Sequence, residues 1–74
     1  MIPGHARVHA LFEAEGRLRE ATEAVAKARD EVVAAAKRYA ENEPRGLHVL
    51  DAVELLWAAE SAEAEARARL EALR

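Results

Sequence analysis

Apolar residues recur every seven positions along both halves of the chain, and they form two series. One series consists mainly of large residues, and the other, three positions later, consists mainly of alanines. In the first half the large series is Leu11, Leu18, Val25, Val32 and Tyr39, and the small series is Ala14, Ala21, Ala28 and Ala35. In the second half the two series are Val49, Leu56, Glu63 and Leu70, and Ala52, Ala59, Ala66 and Leu73. A seven-residue apolar repeat lies along one face of an α-helix, so the sequence predicts two helices, each with a continuous packing seam.

The segment 42–46 interrupts this pattern. Asn42 can adopt the left-handed conformation that ends a helix, Pro44 cannot continue a helix, and Gly46 is a turn residue. We therefore expect a single domain over 1–74, with helix one at about 5–41, a turn at 42–46 and helix two at about 47–73. So short a turn makes the helices antiparallel. The expected fold is all-α: a two-helix hairpin of the Alacoil type, in which alanines let the helices approach closely.

A hairpin of this size needs additional stabilisation. The chain has 74 residues, and a chain this short buries only about 60% of the surface that its unfolded form exposes. Nineteen of its residues are Ala, which contributes little hydrophobic free energy, and it has no Cys for a disulfide or a thiolate metal site. Oligomerisation is the remaining means of stabilising so small a fold.

A second apolar stripe lies about 120° around each helix from the seam. Its members are Val8, Phe12, Ala26, Val33 and Ala40 in helix one, and Leu50, Val53, Trp57, Ala64 and Ala68 in helix two. Because the helices run in opposite directions, both stripes are expected on the same side of the hairpin. A patch containing Trp57 and Phe12 favours association, and the simplest closure is a homodimer of hairpins that forms a four-helix bundle. The predicted partner-interface residues are Val8, Phe12, Val33, Leu50, Val53 and Trp57.

The charge pattern disfavours nucleic acid and membranes as partners. The net charge is −3, and acidic and basic residues are interspersed. The longest apolar runs, 32–36 and 55–59, are far too short to span a bilayer, and the N-terminus lacks the layout of a signal peptide. We expect a cytoplasmic protein whose outer charged residues form a solvated surface.

Three residues offer a weak candidate metal site. His5, His9 and Glu13 are four residues apart, so their side chains share one helix face and could hold Zn²⁺ or Ni²⁺. The site would lie near a chain terminus and would need a fourth ligand, which favours adventitious binding over function. We therefore expect no metal and no other cofactor.

Glu63 occupies a seam position where a Leu would be typical. A carboxylate at such a position needs a partner or access to solvent, and Arg29 across the hairpin is the candidate partner. A register-setting ion pair is favoured over a ligand site.

Catalytic chemistry has little support in this sequence. Ser61 and Thr22 are the hydroxyl residues besides Tyr39, and the deduced pairing places no His near either of them. The chain also lacks a Gly-rich phosphate loop and the paired Glu-x-x-His motifs of di-iron bundles. We expect a protein that is not an enzyme.

Three functions remain open. The first is a structural or interaction protein that homodimerises and presents a rigid helical surface to another protein. The second is a nucleic-acid regulator, which in general architecture resembles the plasmid Rop-type RNA-binding hairpins, without a shared motif. Such a regulator would need a continuous basic surface, for which the candidate residues are Arg7, Arg17, Arg19, Arg29 and Lys37. The third is an adaptor subunit of a larger hetero-assembly, which would have no stable homodimer.

Overall fold

The computed structural model describes residues 4–74, so residues 1–3 of the expected domain lie outside it. Two helices form within this range, α1 (Gly4–Ala40) and α2 (Val49–Leu73), and residues 4–74 contain no strand. The helices pack against each other as a hairpin with overall dimensions of 59 × 13 × 12 Å. The prediction of an all-α two-helix hairpin is therefore confirmed.

The heptad seam is where the two helices meet. Its five buried side chains are between 1% and 4% exposed: Ala14, Val25, Ala35, Ala52 and Leu70. Each of these residues belongs to one of the two predicted series, and the other seam residues of α2 are half-buried. Because three of the five are alanines, little side-chain volume separates the helix backbones. The hairpin thus has a narrow core that buries few large side chains.

Tyr39 departs from the predicted seam. It is 70% exposed, and its ring meets the ring of His48 edge-on, with a centroid distance of 6.4 Å and an interplanar angle of 75°. Tyr39 lies in the last turn of α1 beside the N-cap of α2, where no further turn of α2 is available to cover its ring. The seam therefore ends before the last turn of α1.

The connection between the helices is longer than the predicted turn, because α2 begins at Val49 rather than at 47. His48 is its N-cap residue, and the Nδ1 of His48 accepts a hydrogen bond from the backbone N–H of Leu50 at 3.1 Å. Asn42 has a φ of 57°, in the left-handed region predicted for it, and Gly46, predicted as a turn residue, has a φ of 84° in the same region. The N-cap keeps Leu47 and His48 outside the helix because the cap residue itself has an extended backbone.

The first helix extends beyond the second at the end opposite the turn. Helix α1 has 37 residues and α2 has 25, which at 1.5 Å per residue is a difference of about 18 Å. The long side chain of Arg7 reaches from the first turns of α1 to the end of α2, where its Nη2 donates a hydrogen bond to the backbone oxygen of Leu73 at 3.4 Å. The helices are therefore antiparallel, and the N-terminal turns of α1 form a protruding end.

Candidate interaction surface

Large apolar side chains are exposed along one side of the hairpin. The exposed fractions are 66% for Val8, 71% for Phe12, 69% for Val33, 66% for Leu50 and 63% for Trp57. Together with the half-buried Val53, these six residues are referred to below as the apolar face.

A contact between the helices places both parts of this face on the same side. The Nη2 of Arg29 lies 4.0 Å from the Oε2 of Glu60. Arg29 is four residues before Val33, and Glu60 is three residues after Trp57, so each lies on the same helix surface as its apolar neighbour. The apolar residues of α1 and α2 therefore flank the Arg29–Glu60 contact on one side of the seam.

The apolar face is interrupted by polar residues in the middle of α1. Glu15, Arg19 and Thr22 lie between Phe12 and Val33 and are separated by helical spacings of three and four residues. All three are exposed. The face consequently has an apolar group near the turn, a polar middle and a second apolar group on the protruding end.

The opposite side of the hairpin has a different character. A shallow groove of about 630 Å³ there has a floor of alanines between two Arg and two Glu side chains. Its lining residues are Arg17, Glu20, Ala21, Ala62, Glu65, Ala66 and Arg69. The formal charges of these four ionisable side chains cancel, so the groove is neither a basic nor an acidic surface.

The hairpin exposes more surface than a compact protein of its mass. Its accessible area is 5835 Å² for 8.1 kDa, whereas a folded monomer of that mass typically exposes roughly 4,500 Å². The excess of about 1,300 Å² is larger than the roughly 800 Å² that each partner buries in a stable protein–protein interface. The shape of the hairpin therefore leaves enough area for a further packing contact.

The candidate metal residues are brought together only in part. The Nε2 of His9 lies 3.1 Å from the Oε1 of Glu13, and both side chains are largely exposed. In the described range, no three His, Asp or Glu side chains are placed to hold a metal ion. The carboxylate of Glu13, a candidate metal ligand, is in contact with the imidazole of His9 instead.

The expected pairing of Glu63 with Arg29 is wrong. The Oε2 of Glu63 lies 4.0 Å from the Nη2 of Arg67, one turn further along α2, while Arg29 contacts Glu60. Glu63 lies at the edge of the seam, so its side chain can extend along the surface of α2 toward Arg67. Arg29 and Glu60 both point away from the seam on the apolar side, where they meet.

The candidate basic residues do not form one stripe. At 100° per residue, the directions of Arg7, Arg17, Arg19, Arg29 and Lys37 on α1 are spread over an arc of about 200°. Arg29 contacts Glu60, and Arg17 shares its groove with Glu20 and Glu65. This spread is unlike the continuous basic surface that binding to nucleic acid requires.

Sequence reasoning missed a second, smaller cavity of about 280 Å³ at the turn. Arg38 lies in its wall, with its Nε buried and without a hydrogen-bond partner, and its guanidinium lies where a side chain on Gly46 would be. The only sequence signal for this arrangement was the glycine itself, which allows the turn to close over the Arg38 side chain.

Comparisons of the chain with protein-family models, with curated proteins and with solved structures gave no match. Neither helix in the described range is both long enough and apolar enough to cross a membrane. Over residues 4–74 the molecule is an all-helical hairpin with large apolar side chains exposed along one side.

Proposed function

We propose that the chain is a non-enzymatic structural or interaction protein that homodimerises through its apolar face. Two hairpins would then form a four-helix bundle, whose outer helix surfaces present a rigid platform to another protein. That the protein works in the cytoplasm stays a prediction.

The observation that carries this proposal is the exposure of Phe12, Leu50 and Trp57 on one side of a hairpin that, over residues 4–74, buries five apolar side chains. Large aromatic side chains are costly to leave in water and are enriched at the centres of protein interfaces. A second copy supplies a surface of the same size and chemistry, and a twofold axis satisfies both copies at once. The excess area described above is sufficient for such an interface.

Sedimentation velocity over a range of concentrations tests the proposal. The wild-type chain should sediment as a dimer of the 8.1 kDa chain and dissociate on dilution. Trp57 is the only Trp, so its fluorescence should shift to shorter wavelength as the dimer forms. A wild-type chain that stays monomeric throughout would contradict the proposal and favour the hetero-assembly adaptor.

A matched pair of variants locates the interface. Trp57→Glu places a charge in the proposed contact and should weaken the dimer by roughly 100-fold or more. Leu55→Glu is the control, because Leu55 is 54% exposed on the same helix but two residues away, on the other side of it. We expect this control to dimerise like the wild type, with circular dichroism showing helical hairpins in both variants. Equal dimerisation of the two variants would show that the face is placed wrongly.

A further inference from the structure

The arrangement of the two hairpins follows from the protruding end of α1, on the premise that the proposed homodimer forms. Val8 and Phe12 are 66% and 71% exposed, and both lie in the N-terminal third of α1. Both residues lie on the apolar face, away from the seam, so α2 of the same hairpin does not cover them. Within residues 4–74 no other part of the hairpin covers these two side chains.

We propose that the apolar face is covered by a second copy whose turn lies at the opposite end of the dimer, with Phe12 of each copy packed against Val33 and Trp57 of the other. In this arrangement the twofold axis crosses the middle of α1 at right angles. Helix α1 then lies antiparallel over α1 of the second copy, and because both have 37 residues, each covers the other along its whole length.

The sequence of the face has the symmetry that this arrangement needs. Five exposed residues spaced seven apart run along the apolar side of α1: Val8, Glu15, Thr22, Arg29 and Ala36. Thr22 is the central residue of Gly4–Ala40, so reversing α1 about it brings Glu15 opposite Arg29 and Val8 opposite Ala36. Apolar residues then meet apolar residues, and each carboxylate meets a guanidinium.

The large apolar residues of the face are related by the same twofold axis. Phe12 lies ten residues before Thr22 and Val33 eleven residues after it, so the reversed helix places them within one residue of each other. Trp57 flanks Val33 on α2, across the Arg29–Glu60 contact. The apolar group on the protruding end of one copy therefore falls on the apolar group beside the turn of the other.

The alternative arrangement, with both turns at the same end, covers Val8 and Phe12 less well. A twofold axis along the helices would place α1 over α2 of the second copy. Arg29 could still meet Glu60 of that copy, but α2 is about 18 Å shorter than α1. Val8 and Phe12 would then lie at the end of the covering helix, whereas the opposite-end arrangement covers them along α1 of the second copy.

Distances between spin labels separate the two arrangements. The chain has no Cys, so Arg45→Cys introduces a single labelling site in the turn, at a side chain that is 86% exposed. Turns at opposite ends should give a label separation close to the 59 Å length of the hairpin. A separation of roughly 20–25 Å, about two helix diameters, would overturn the inference and leave the dimer standing. Sedimentation of the same sample as a monomer would overturn both.

Disulfide formation gives an independent readout at the centre of the proposed interface. Thr22→Cys places a thiol at the twofold axis, where two copies of this residue face each other. Glu23→Cys is the control, since it lies one residue, and so about 100°, further around the same helix. We expect the Thr22→Cys dimer to cross-link about tenfold faster or more, because a disulfide needs Cα atoms within about 7 Å. Equal rates for the two variants would contradict the α1-over-α1 contact.

Discussion

The guanidinium of Arg29 on α1 lies 4.0 Å from the carboxylate of Glu60 on α2, directly beside Val33 and Trp57. The two side chains are 65% and 46% exposed, and a pair at this distance and exposure contributes under about 1 kcal/mol. The contact therefore adds little to the hairpin's stability. Its significance is geometric, because it shows which sides of the two helices lie together and so defines a common apolar face.

Replacing Ala52 by Leu should destabilise the hairpin by about 1–3 kcal/mol. Ala52 is only 1% exposed, and the seam has no room for three further carbon atoms between closely packed helices. Urea denaturation at a fixed protein concentration measures the effect. Ala58→Leu is the control, since Ala58 is exposed on the same helix, and we expect a change within about 0.5 kcal/mol there. Equal effects would mean that the seam is loosely packed.

Two glycine substitutions should change stability in opposite directions. Gly16→Ala should raise the free energy of unfolding by about 0.5–1 kcal/mol, because Gly16 lies inside α1 and an added Cβ has open space around it. Gly46→Ala should lower it by about 1–2 kcal/mol, because Gly46 has a φ of 84° and the added Cβ would lie 2.8 Å from the Arg38 guanidinium. Thermal unfolding followed by circular dichroism compares the two. A stabilising Gly46→Ala substitution would contradict the described turn.

The helix pairing was predictable because it depends on a repeat, whereas the ends of the helices depend on single residues. Each buried side chain in the described part of the hairpin lies in one of the two heptad series, and Asn42 and Gly46 have the left-handed backbone that their residue types favour. The start of α2 was misplaced by two residues because His48 acts as its N-cap, a role more typical of Ser, Thr, Asp or Asn.

Side-chain partners were less predictable than helix faces. Heptad spacing placed Glu63 in the seam but did not reveal that its carboxylate turns along α2 to Arg67, because a long side chain can reach either helix. Tyr39 has the correct spacing for the seam, but it lies in the last turn of α1, where α2 is only beginning, and its ring remains exposed beside His48. The apolar face follows from spacing alone, and its exposed residues are those predicted for a partner interface, except that Val53 is half-buried.

Reversing the charge of Glu15 tests the contact expected between two copies of α1. In the opposite-end dimer, Glu15→Arg would place two cations together at each of two symmetric positions, and the dissociation constant should rise about tenfold at low salt. Adding Arg29→Glu together with Glu60→Arg should restore most of the affinity, because the contact between the copies and the Arg29–Glu60 contact are then both reversed rather than broken. The control is Glu23→Arg: like Glu15, Glu23 has a cation four residues later, so both changes remove the same kind of pair within the helix. Titration by fluorescence of Trp57 measures all three variants, and a Glu23→Arg effect as large as that of Glu15→Arg would exclude a specific contact at Glu15.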